Sequence, residues 1–410
     1  MPLPLRDGRR GNLDDVSWVG AIVVLLVGPV GLGATWNSAR PLIDPTRRYS
    51  RMWLPAMVVA ELAPFWLLLH AVALVLGSVT GAWQHWIGRV GVVTLGVSML
   101  LLCWIIVRSL IGVGKMRRLI TGSVQRARGT ALLIGRPIPT PPDVHEQHDI
   151  DWCDGLTLDL IRPARPSAAG PVLVYIHGGG WTGGDPQRQA RDLYHALALD
   201  GWTSVGVRYP FTPHVGVEDQ IDTVRAAVRW VRTRLPGLDG HGLQPTKLVV
   251  AGGSAGGHLA AMAALTAADE SERVDACVGI YGVYDMANRN RTRAYWAKTR
   301  REVMLASVDE APERYRAVSP LDQIHDESPP MLIVHGTHDT LVPVGEGEQF
   351  VAALRAHGRP VDFVPVYGAQ HAFDALSSIT SRTAAAVITE WLRRTVLEQV
   401  GVECGQAPTA

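Results

Sequence analysis

The chain has 410 residues, with 39 lysines and arginines against 38 acids and a formal charge of +1. So even a balance gives no electrostatic footprint for nucleic acid, and the length allows more than one domain. Cys103, Cys153, Cys277 and Cys404 are scattered, with no Cys-x-x-Cys pair or Cys/His cluster, which argues against both a zinc site and a disulfide framework.

Apolar residues crowd the first third. Three stretches, about 16–35, 53–77 and 87–107, each approach or exceed the ~20 residues that carry a helix across a hydrocarbon core. Gly28-Pro29, Gly31 and Gly33 would weaken a soluble helix but are tolerated in a membrane. Trp18, Trp36, Trp53, Trp83, Trp86 and Trp104 fall mostly near the ends, as an aromatic belt would place them. A signal peptide is disfavoured by the length of the first stretch, the lack of an Ala-x-Ala-like site and the two runs that follow. The competing reading is a buried helical cap on a soluble enzyme. The pattern predicts a membrane region over 1–115 with two or three spans, and membrane lipid as a partner.

Loop 37–52 carries Arg40, Arg47, Arg48 and Arg51 against Asp44, and the segment after the third stretch carries Arg108, Lys115, Arg117, Arg118, Arg126 and Arg128 with no acid. Basic residues stay inside, so the C-terminal part is expected on the cytoplasmic side. The alternative, extracytoplasmic arrangement would export four arginines. Glu61 and His70 lie nine residues apart in the second stretch, on opposite sides of one helix, and cannot pair.

A basic, proline-rich linker is expected over 116–145, centred on Arg136-Pro137-Ile138-Pro139-Thr140-Pro141-Pro142, because proline breaks regular structure. From 146 to 400 strands and helices alternate. Leu156, Leu158 and Leu160 mark a half-buried strand, and Pro171–His177, Thr203–Tyr209, Lys247–Gly252, Ala276–Tyr281, Met331–His335 and Val361–Tyr367 mark the next ones. Ile221, Val224, Val228 and Val231 have helical spacing, and a last helix covers about 380–397. This order predicts an α/β fold with a mostly parallel sheet covered on both faces. Residues 284–328 separate two of the strands and contain Arg289, Arg291, Arg293, Tyr295 and Trp296. They are a candidate lid, or else a plain surface excursion.

The chemistry centres on Gly252-Gly253-Ser254-Ala255-Gly256-Gly257. A strand leads straight into Gly-x-Ser-x-Gly and a helix leaves it, the context that holds a serine out on a strained turn. A serine needs a base and an acid to orient that base. Asp339 and His371 each follow a later strand, and the order Ser254, Asp339, His371 is that of α/β-hydrolase triads. His335, His338 and His258 are rivals for the base, and Asp322 and Asp326 precede their strand. His177-Gly178-Gly179-Gly180-Trp181 closes an earlier strand, and bare glycine amides there can face a developing oxyanion, as can the Ala255 amide.

Together these segments resemble the hormone-sensitive-lipase-like esterases of the α/β-hydrolase superfamily over about 155–395. With the apolar N-terminal stretches, the chain also resembles the membrane-associated carboxylesterase/lipase group of mycobacteria and related actinobacteria. The resemblance implies an α/β-hydrolase fold behind an all-α transmembrane region. It makes Ser254 the nucleophile, His371 the base and acid, and Asp339 the orienting acid. The amides of Gly179, Gly180 and Ala255 form the oxyanion hole, and Gly178 shapes the loop. Two departures stand out: Gly253 replaces the usual Asp, and Arg208-Tyr209-Pro210 is a reduced form of a longer segment. Both pull toward feruloyl-esterase-like and arylformamidase-like branches. The expected activity is hydrolysis of short- to medium-chain acyl esters, small or lipid-derived, with no cofactor and no metal. A serine amidase or peptidase is one alternative, and an inactive membrane scaffold is another.

Overall fold

A computed structural model describes residues 8–40, 52–119, 140–238, 242–293 and 299–398. Residues 120–139 of the expected linker, Arg47, Arg48 and Arg51 of the basic loop, and Tyr295 and Trp296 of the candidate lid lie outside the described residues.

The apolar third folds as four helices: α1 (Gly8–Ala39), α2 (Trp53–Glu61), α3 (Ala63–Val79) and α4 (Trp86–Arg117). The Asp15–Ala39 part of α1, and α4, are long and apolar enough to cross a membrane. The stretch expected as one helix over 53–77 is divided at Leu62, and α2 and α3 are bent by 82°. Pro64 opens α3; it has no N–H to donate back into α2, so the helix restarts in a new direction. Helices α1 and α4 cross at glycines. A Cβ on Gly28 would lie 2.6 Å from the Gly91 carbonyl oxygen, the close approach that small residues permit between membrane helices.

The two ionisable groups of the second stretch go separate ways. His70 donates from Nδ1 to the Trp66 carbonyl at 2.7 Å, and its Nε2 lies 3.1 Å from Ser98 Oγ on α4. Ser98 in turn meets Thr35 of α1 at 2.8 Å. Glu61 leaves the bundle and accepts a hydrogen bond from Ser378 at 2.5 Å.

The rest of the chain is built on eight strands: β1 (Val144–Cys153), β2 (Leu156–Pro163), β3 (Ala169–Ile176), β4 (Thr203–Val207), β5 (Gln244–Gly253), β6 (Ala276–Ile280), β7 (Met331–Gly336) and β8 (Val361–Val366). Their order is β1-β2-β4-β3-β5-β6-β7-β8. Pairings β1–β2 and β2–β4 are antiparallel, and every pairing from β4 to β8 is parallel. The sheet is therefore mixed, and the architecture is the α/β-hydrolase fold. Strand β1 was not expected. Its polar run His145, Glu146, Gln147, His148 and Asp149 carries no apolar period, and pairing with β2 supplies what the sequence pattern lacks.

Strand alternation builds two cores. Val172, Val174, Leu248, Val250 and Ile333 face one side, with α6 (Val217–Thr233), α7 (Ala255–Leu265), α8 (Pro312–Ala317) and α9 (Gly345–Ala356). Leu173, Tyr175, Val249, Ala251 and Leu332 face the other, with α5 (Arg191–Leu199) and α10 (Ile379–Leu392). This is the period-2 pattern of strands buried on both faces.

Helix α4 belongs to both halves. Its 32 residues span about 48 Å at 1.5 Å per residue, longer than the ~30 Å of hydrocarbon. Its C-terminal end docks: Val113 and Met116 are buried in the second core with Val366 and Trp391, and the Lys115 ammonium sits 3.8 Å from the centre of the Tyr367 ring. Arg108 Nη1 donates to His338 Nε2 at 2.9 Å.

Glu146 fastens β1 to α5. It accepts from both Arg191 Nη atoms, at 2.8 and 2.9 Å, and from His195 at 2.7 Å. Burial pushes its carboxyl up, but the hydrogen bonds from His195 and Arg191 outweigh it and hold the group down at about 2, against an ordinary 4.5. A carboxyl depressed in the fold stabilises above its unfolded pKa, and that stabilisation is lost as pH falls through the folded one. Glu146→Gln is therefore expected to cost about 2 kcal/mol at neutral pH. The deficit should shrink as pH falls from 4.5 toward about 2, which urea unfolding at graded pH would reveal.

Candidate active site

Ser254 stands between β5 and α7 with φ 56° and ψ −120°, a backbone that a side-chain-bearing residue adopts only under constraint. Its neighbours supply the constraint. A Cβ on Gly252 would lie 2.3 Å from the Gly256 carbonyl oxygen, and one on Gly256 would lie 2.0 Å from the Ile176 carbonyl oxygen. Only glycine lets strand, turn and helix pass so closely.

The loops after β7 and β8 bring Asp339 and His371 to this turn. His371 Nε2 lies 2.9 Å from Ser254 Oγ, and His371 Nδ1 lies 2.7 Å from Asp339 Oδ2. A carboxylate can only accept here, so Nδ1 carries the proton and Nε2 is left to receive one from the serine hydroxyl. Asp339 is buried, and its Oδ1 accepts from the amides of Leu341 and Val342 at 2.9 and 2.8 Å. Burial would raise its pKa; the charge and hydrogen bonding of His371, with His335, reverse that and hold it below the ordinary carboxylate range. Gln370 joins the two loops, its Oε1 accepting from the amides of Thr340 at 2.7 Å and His371 at 3.1 Å.

The other histidines are committed elsewhere. His335 donates from Nε2 to the Val342 carbonyl at 2.7 Å. His258 accepts from Trp181 Nε1 at 3.1 Å and donates to the Val318 carbonyl at 2.7 Å; burial pushes its pKa down to about 4. His338 accepts from Arg108 and is likewise pushed down to about 4, by burial and then by that positive charge.

The glycine loop after β3 lies against the serine. Gly178, Gly179 and Gly180 line the same cavity as Ser254 and His371. Gly179 has φ 145° and Gly180 φ 63°, backbone that favours glycine. The Gly178 amide donates to Gln189 Oε1 at 2.7 Å, which shapes the loop and spends that donor. Ala255 is the first residue of α7, where an amide has no acceptor within the helix. Tyr209 locks the loop from below. Its hydroxyl donates to the His177 carbonyl at 2.9 Å and its ring stacks on the His177 imidazole at 4.5 Å. The reduced Arg208-Tyr209-Pro210 segment thus serves as a strut. Burial pushes His177 down to about 4, so it stays neutral near neutral pH.

Several residues at the site carry no motif. Tyr281 follows β6, and its ring lies 4.8 Å from that of His371. Its hydroxyl donates to Asp374, a carboxyl that burial raises to about 6. The missing side chain at position 253 is explained here, because a Cβ on Gly253 would lie 2.8 Å from the Tyr281 hydroxyl. Trp53, Leu54 and Met57 reach the cavity from α2, and Arg293, Thr299 and Val303 from the candidate lid. The cavity is about 420 Å³, within the range of small-ligand sites.

Known proteins resemble this chain in sequence and in fold. A family model described as BD-FAE matches residues 158–354. Esterase LipQ of Mycobacterium tuberculosis is 33% identical over 289 residues, covering 65% of this chain and 67% of its own. Esterase LipC of the same organism is 34% identical over 246 residues, covering 57% and 60%. The match to these two relatives thus spans 60 to 67% of their length. Among solved structures, Thermogutta terrifontis esterase 2 phosphonylated by sarin shares the fold, with a TM-score of 0.51 and 24% identity over 64% of this chain and 98% of its own. The likeness is not specifically to the hormone-sensitive-lipase-like branch that the motifs resemble. It is broader: the chain belongs to the esterases and lipases of the α/β-hydrolase superfamily.

Proposed function

We propose that the protein is a membrane-anchored serine carboxylesterase or lipase that hydrolyses short- to medium-chain acyl esters. One observation carries the reading: Ser254, His371 and Asp339 form a continuous hydrogen-bonded chain that opens into a mainly apolar cavity beside the glycine loop. Ser254 Oγ attacks the ester carbonyl carbon while His371 Nε2 takes its proton. The negative charge on the carbonyl oxygen meets the amides of Gly179, Gly180 and Ala255, where fixed dipoles stabilise it. The ester C–O bond breaks, the alcohol leaves with the proton from His371, and an acyl group remains on Ser254. Water then enters, loses a proton to His371 and releases the acid. Asp339 stays ionised throughout and steadies the imidazolium.

Helices α1 and α4 support anchoring in a bilayer by their length and apolar surface, with the catalytic domain on the cytoplasmic side by the charge rule. Within the superfamily, the apolar helices and the likeness to LipQ favour the membrane-associated carboxylesterase/lipase group of mycobacteria and related actinobacteria. Gly253 departs from the hormone-sensitive-lipase-like pattern.

Two sets of variants test the site. Ser254→Ala should lower the kcat for p-nitrophenyl butyrate by roughly 10⁴-fold or more, and Asp339→Asn by about 10⁴-fold with the fold retained. A Ser254→Ala enzyme that turns over at the parental rate would dismiss the assignment. Gly253→Asp puts a side chain where the Tyr281 hydroxyl sits. Displacing that ring should misplace His371 and cut kcat at least ~10²-fold, as small misplacements at reacting groups do; an unaffected kcat would show that Tyr281 has no positioning role.

A further inference from the structure

The membrane helices do more than lie next to the catalytic domain. Trp53, Leu54 and Met57 of α2 line the cavity that contains Ser254 and His371. The Trp53 indole meets the His371 ring edge to face, with centroids 5.4 Å apart and planes at 83°. Met57 is buried, whereas Leu54 lines the cavity and is still 48% exposed, so the rim of the cavity is itself apolar. Trp181, Val283, Val303, Leu341 and Val342 continue the apolar lining, and no Asp or Glu is among the described residues of the wall.

This roof is fixed in place. The 82° bend turns α2 away from the axis of α3, and the end of α2 is tied down by Glu61 to Ser378. Helix α4 is held to the same domain by Arg108 on His338 and by Val113 and Met116 in the core. The height of the bilayer follows. Exposed apolar side chains run along α4 through Val93, Val97 and Leu100 to Val107, next to Arg108, which bonds His338 of the catalytic domain. On α3 they include Leu68, Leu69, Val72 and Val75. Hydrocarbon that covers these residues ends where the catalytic domain begins, which puts α2 and the cavity mouth at the bilayer surface.

Building on the esterase reading above, we infer that the cavity takes the acyl chain of a bilayer-resident lipid ester. The chain enters from the hydrocarbon past Leu54, and α2 is part of the binding wall. The chemistry is unchanged: the acyl–Ser254 bond forms as the lipid ester C–O bond breaks, the lipid alcohol leaves with the His371 proton, and water then frees the fatty acid. A lipid that enters this way meets a mainly apolar wall, with Arg188, Gln189 and Arg293 as polar exceptions, so most of its acyl chain is kept from water.

The test uses the full chain in phosphatidylcholine nanodiscs, with dioleoylglycerol as the embedded ester and p-nitrophenyl acetate as the soluble one. The parent is expected to hydrolyse both. Leu54→Glu places a charge in the entry path and should lower the ratio of dioleoylglycerol to p-nitrophenyl acetate turnover about tenfold or more. Leu69→Ala, on the exposed face of α3 and outside the cavity, should leave the ratio unchanged. Fluorophosphonate labelling reports whether the Leu54→Glu site is assembled; if it is not, Leu54→Ser is measured in its place, with the same direction expected. A parent that hydrolyses p-nitrophenyl acetate but not dioleoylglycerol, or a ratio unmoved by the Leu54 change, overturns this inference and leaves the esterase reading standing. A parent inert to both esters and to the label overturns both.

Discussion

The turn at Ser254 sets the terms for the rest of the site. A positive φ at a serine is costly, of order 1–3 kcal/mol, and persists only where the surroundings leave no alternative. Here β5 must reverse into α7 with Gly256 pressed against the Ile176 carbonyl. That contact brings the end of β3 alongside the serine, and the loop leaving β3 is the one made of glycines. The same reversal puts the Ala255 amide at the open end of α7. The positions of Ser254, the glycine loop and the Ala255 amide thus follow from one close approach.

Electrostatics around the turn is a matter of keeping most groups silent. His177 and His258 are neutral because burial disfavours their charged forms, and His338 because burial and Arg108 both do. His335 spends its proton on a backbone carbonyl. Burial raises Asp374 to about 6, and its carboxyl accepts from the Tyr281 hydroxyl. His371 bridges Ser254 and an ionised Asp339, so an imidazolium formed there has a counter-charge beside it.

Much of this was legible in the residue order. Ser254, Asp339 and His371 each sit at the end of a strand marked by an apolar run, and glycines mark the two places where backbone comes close. The illegible parts have physical reasons too. Strand β1 is polar and owes its conformation to pairing with β2. Tyr281 and Asp374 act through a contact across 93 residues of chain, which no local pattern encodes, although the absent side chain at Gly253 was its trace. The break at Leu62 turned an expected straight helix into a bent pair, and Trp53 and Met57 of its first arm line the cavity that holds Ser254. Reading 53–77 as one apolar stretch missed the change of direction at Leu62.

The proposed chemistry requires Ser254 to be the residue that accepts the acyl group. The most direct measurement is mass spectrometry of peptides after the full-length protein has reacted with a fluorophosphonate in nanodiscs. A single adduct on the peptide containing Ser254, formed in step with the loss of ester turnover, is expected. An adduct on another serine, or full loss of turnover with Ser254 unmodified, would contradict it.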